Sequence, residues 1–85
     1  MNDLITKRAL EIIEESHDVL ETKEILEKLL INSDDVTRTK LFARLNNLRG
    51  DGLIKGKFVG SGKGVWIWWE KNLFLENKNN GGNSK

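Results

Sequence analysis

Eighty-five residues with a mass of 9.7 kDa make one small domain, and the absence of cysteine excludes both a disulfide framework and a cysteine-based zinc site. The longest apolar run, Val65-Trp66-Ile67-Trp68-Trp69, falls far short of the roughly 20 residues that span a bilayer, and Met1-Asn2-Asp3-Leu4 lacks the features of a secretory signal, so no membrane partner and a cytoplasmic location are expected. The net charge of +1 conceals a division: residues 1–35 carry ten acidic and four basic side chains, residues 36–85 three and ten, which lets the second half face a polyanion.

The first helix is predicted over 3–16, where Ile5, Ala9, Ile12 and Ile13 fall at i, i+4, i+7 and i+8 and form one stripe. Leu4 lies off that stripe and Leu10 at its margin. Ser16-His17-Asp18 breaks the pattern, and Val19-Leu20 is long enough only for a brief strand. Thr22 is placed to cap a second helix over 23–31 through its side-chain oxygen, with Ile25, Leu26, Leu29 and Leu30 as the buried stripe. Asn32-Ser33-Asp34-Asp35 forms a turn that offers N-caps to a third helix over 36–49. Leu41, Leu45 and Leu48 share its inner face. Thr39, Lys40, Ala43, Asn46 and Asn47 lie opposite, with Arg44 on one flank and Arg38 and Arg49 nearer the other. Gly50 suits the position that ends this helix, and Asp51-Gly52 turns the chain.

Leu53 to Val59 and Val65 to Trp69 alternate as strands, joined by Gly60-Ser61-Gly62-Lys63-Gly64 into a hairpin. Val65, Ile67 and Trp69 share one face of the return strand and are expected to be its buried side. Trp66 and Trp68 then point the other way, toward Leu73, Phe74 and the first helix, toward a second subunit, or toward stacked bases. Residues 77–85, rich in Asn, Gly and Lys, are expected to be a disordered polar tail.

The order helix, short strand, helix, helix, strand, glycine loop, strand resembles the winged helix-turn-helix family. The likeness is best at Leu45-Asn46-Asn47-Leu48-Arg49-Gly50-Asp51-Gly52-Leu53-Ile54, which looks like the end of a recognition helix and the turn into the wing. Thr22-Lys23-Glu24-Ile25-Leu26-Glu27-Lys28-Leu29 resembles the family's second helix. The chain departs from compact members between the second and third helices, where Leu41 follows Leu29 by twelve positions. The resemblance implies an α+β winged helix-turn-helix over residues 1–76: three helices and a two- to three-stranded antiparallel sheet with a glycine-rich wing.

It also implies a non-enzymatic transcriptional regulator that binds double-stranded DNA. Helix 36–49 would read the major groove and wing 53–69 would touch backbone or minor groove. Carried over by position, Thr39, Lys40, Ala43 and Asn47 face the groove, where Asn suits adenine, Lys suits guanine acceptors or phosphate, and Ala permits close approach. Arg38 and Arg44 become phosphate clamps, and Lys55, Lys57, Ser61 and Lys63 wing contacts. Two other readings stay open: a winged-helix adaptor that binds protein, and a single-strand binder that uses the wing tryptophans.

Other motifs carry less. Gly60-Ser61-Gly62-Lys63-Gly64 lacks the first glycine and the Ser/Thr of a phosphate-binding loop, whose positions hold Lys57 and Gly64, and a strand follows it. Ser16-His17-Asp18 are neighbours in sequence, whereas hydrolase triads are assembled from distant segments. Glu14, Glu15 and Asp18 suggest at most a weak cation contact, so no metal, cofactor or small-molecule ligand is expected. Leu4, Leu10, Trp66, Trp68, Leu73, Phe74 and Leu75 exceed what one small core needs, which points to a homodimer through the first helix and the C-terminal patch.

Overall fold

In the computed structural model, which describes residues 3–31 and 35–74, helix α1 (Leu4–Ser16) starts where the Asp3 carboxylate accepts the Thr6 backbone N–H at 2.8 Å. It ends at His17, whose φ of 54° is left-handed. The chain continues through β1 (Leu20–Glu21), α2 (Thr22–Ile31), α3 (Arg38–Gly50), β2 (Ile54–Val59) and β3 (Val65–Glu70). The strands form one antiparallel sheet in the order β1-β3-β2. Three helices and this sheet, in this order, make the expected α+β layout of a winged helix. Leu75 and the tail 77–85 lie outside the described residues.

The helix ends differ from the sequence reading in instructive ways. Thr22 is not the cap of α2. The Glu24 carboxylate instead reaches back and accepts the Glu21 backbone N–H at 2.7 Å, the returning half of a capping box. Thr22 is turned inward, 6% exposed, and its hydroxyl oxygen accepts the Trp68 indole N–H at 2.8 Å. Helix α3 is capped by Thr37, whose side chain accepts the Lys40 backbone N–H at 3.2 Å, and not by the turn cluster before it. Val36 is buried just ahead of this cap, so the long connection carries its own anchor in the core. At the other end Gly50 is helical, and Gly52 takes the left-handed conformation with φ of 79°. Leu53 N–H donates to the Leu48 carbonyl and Gly52 N–H to that of Arg49, each at 3.0 Å, the bond pair of a Schellman motif.

The core lies between the helices and one face of the sheet. Ile13, Ile25, Leu29, Leu41, Leu45, Ile54 and Trp68 are its largest fully buried side chains. Leu30, assigned to the stripe of α2, is instead exposed. The sheet also faces the other way from expectation. The register pairs Ile54 with Glu70, Gly56 with Trp68 and Phe58 with Trp66, and Leu20 of β1 with Trp68, so the Trp66/Trp68 face is the one the helices cover. Val65, Ile67 and Trp69 occupy the outer face half-buried, with Phe74 edge-on to Trp69 at 5.7 Å. Alternation alone could not choose between two equally apolar faces. Gly56 marks the inner one, because a Cβ there would stand 2.6 Å from the Trp68 ring.

A buried indole N–H without an acceptor costs about 1–3 kcal/mol. Thr22→Val keeps the side-chain shape and removes the acceptor. Urea unfolding of this variant should show a loss of that size, about 1–3 kcal/mol; unchanged stability would mean that the bond contributes nothing.

Candidate nucleic-acid interface

Helix α3 carries four basic residues and no acidic one. Its three leucines are buried, and Thr39, Lys40, Ala43 and Asn47 are exposed on the side away from them, as the spacing required. Arg38 is exposed at the first helical position. Ser61 and Lys63 are exposed in the loop of the β2–β3 hairpin. Lys55 and Lys57 are exposed too, but their register with Trp69 and Ile67 puts them on the outer face of the sheet, away from the side that α3 packs against.

Arg44, expected as a phosphate clamp, is engaged within the fold. Its Nε and Nη2 stand 2.9 and 2.8 Å from one Asp3 carboxylate oxygen. Asp3 thus caps α1 with one oxygen and ties α1 to α3 with the other. Hydrogen bonds from Thr6, with a smaller contribution from Arg44, hold its carboxyl below the ordinary value. Asn47 borders a cleft of about 520 Å³ that it shares with Asp3, Arg44 and Asp51. Nothing local in the sequence signals a pair 41 positions apart.

Between α3 and the hairpin lies an aromatic cluster that the leucine spacing did not reveal. Phe42 is edge-on to both Trp66 and Trp68, with ring centroids 5.7 Å away in each case. Trp66 stacks on Trp68 at 5.2 Å, and Phe58, 49% exposed, meets Trp66 edge-on at 6.1 Å. The Arg49 guanidinium carbon stands 5.3 Å from the Trp66 ring centre, and its Nη2 donates to Asn46 at 3.2 Å. Phe42 could have been found by its place one residue after Leu41 and three before Leu45, at the edge of the buried stripe. The glycine at 56 was the signal for Arg49, since a Cβ there would also approach the Arg49 chain to 3.1 Å.

This packing settles where the tryptophans are. Trp68 is 0% exposed and has no surface to offer to a base or a second subunit. Trp66 and Leu10 are half-buried against the core. Of the other residues expected at a dimer contact, Leu4 and Phe74 are exposed and Leu73 is half-buried. Among the described residues no three His, Asp or Glu side chains gather to hold a metal, and no helix is long and apolar enough to cross a membrane. No protein-family model matches the chain, and no curated protein matches it in sequence at a significant level.

The Asp3 contacts predict an acid response. Because folding lowers this pKa, the stabilisation is complete at neutral pH and is lost as pH falls through the folded-state value. Asp3→Asn retains a good capping side chain without the titration. Its urea midpoint should therefore fall less between neutral and acid pH than that of the parent protein; equal falls in the two proteins would exclude Asp3 as a contributor.

Proposed function

We propose that the protein binds double-stranded DNA without catalysis, as a cytoplasmic transcriptional regulator, presenting the outer face of α3 to the major groove and the hairpin to the backbone. The observation that carries this reading is the make-up of α3: four basic and no acidic residues, anchored by three buried leucines, with Thr39, Lys40, Ala43 and Asn47 free at its surface. A small residue between polar ones suits close approach to base edges. Arg38, Lys40 and Lys63 act as the phosphate contacts, while Arg44 is held by Asp3. A homodimer through α1 and the C-terminal patch would draw on the exposed Leu4 and Phe74, while Trp68 and much of Trp66 and Leu10 are used within the core.

Three phosphate contacts give a log–log dependence of the binding constant on salt with a slope of about −2.7. Asp3→Asn releases Arg44 and should steepen that slope by about 0.9. A binding constant indifferent to salt would contradict the electrostatic footprint.

Reading and holding are separable. On a duplex selected for tight binding, Asn47→Ala should cost about 1–3 kcal/mol, and much less on random duplex. Lys63→Ala should weaken both alike and reduce the salt slope by about one. Circular dichroism first establishes that both variants fold. Equal loss on both duplexes for Asn47→Ala would remove α3 as the reading element.

A further inference from the structure

We infer that the groove between the start of α3 and the loop end of the hairpin seats one unpaired nucleotide, so that duplex DNA carrying an extrahelical base binds more tightly than perfect duplex. The inference rests on the DNA reading above and adds a second recognition element to it. The groove has a volume of about 340 Å³, at the small end of ligand pockets and enough for a single base. Phe42 and Trp66 supply its aromatic surface and Thr22, Arg38 and Thr39 its polar edge, and no acidic side chain is among the described residues that line it.

The walls are held before any ligand arrives. Phe42 is wedged edge-on against two indoles, and Trp66 is backed by the buried Trp68. Phe58 extends the aromatic surface beyond the groove. It lies over Gly64, where a Cβ would come within 2.6 Å of the Phe58 ring, so the glycine is what lets ring and groove meet. An unpaired nucleotide is apolar on its base faces and anionic on its backbone. The site has the matching division, an aromatic slot with Arg38 at its edge and Lys63 one residue before the lining Gly64. A base within a perfect duplex would first have to be unstacked, at a cost that an unpaired base does not incur.

The test compares three short duplexes by fluorescence anisotropy: perfect, carrying one unpaired thymine, and carrying an abasic site in place of that thymine. The thymine bulge should bind about fivefold or more tighter than perfect duplex, the scale of one base on an aromatic surface. The abasic bulge should bind like perfect duplex. Phe58→Ala, at an exposed position beside the groove, should reduce the gain and leave the perfect duplex within about twofold. Equal binding of bulged and perfect duplex would overturn the inference and leave the DNA reading intact. An equal gain from the abasic bulge would also overturn it, because flexible DNA and not the base would then be recognised. Binding of none of the three would overturn the DNA reading itself, and the inference with it.

Discussion

One side chain holds the elements in register. Trp68 is fully buried on the central strand, its indole N–H bonded to Thr22 of α2, its ring edge-on to Phe42 of α3, and its face backed by Trp66. The neighbouring strand leaves room for it with a glycine at 56. A buried indole brings a large apolar surface together with one polar atom that needs a partner in a fixed direction. That requirement fixes the start of α2, the rotation of α3 and the position of the hairpin relative to both. The angle between the outer face of α3 and the wing is therefore set from inside the core.

Helical spacing carried most of the fold. The stripes of α1 and α3 appear where the periodicity put them, and the hairpin boundaries move by one residue. What was not legible were choices between equivalent local options. Thr22 could cap a helix or accept from a distant indole, and a glutamate three residues after Glu21 took over the capping. Gly50 and Gly52 were both able to end α3, and the left-handed conformation went to Gly52, the residue that lets Leu53 bond back to Leu48. The two faces of β3 were equally apolar, so only the register against Gly56 told them apart. In the candidate site, exposure of Thr39, Lys40, Ala43 and Asn47 followed from the leucine spacing, whereas the fate of Arg44 depended on a residue at the far end of the domain.

The charge division of the sequence becomes spatial through these contacts. Asp3 and Arg44 join α1 to α3, and Arg49 lies over Trp66, so two of the four cations of α3 are occupied with the fold. Arg38 and Lys40 are left at its exposed start, near the groove that Phe42 and Trp66 line. The proposed function draws on this juxtaposition of an aromatic slot and exposed cations, which lies where α3 meets the hairpin.

Amide chemical-shift mapping on addition of duplex DNA tests most directly whether this surface is the one used. Shifts are expected to concentrate in residues 38–47 of α3 and in the hairpin loop and its adjoining residues 58–66, with the exposed side of α1 unmoved. Shifts confined to α1 and α2, or none at saturating DNA, would contradict the proposed DNA surface.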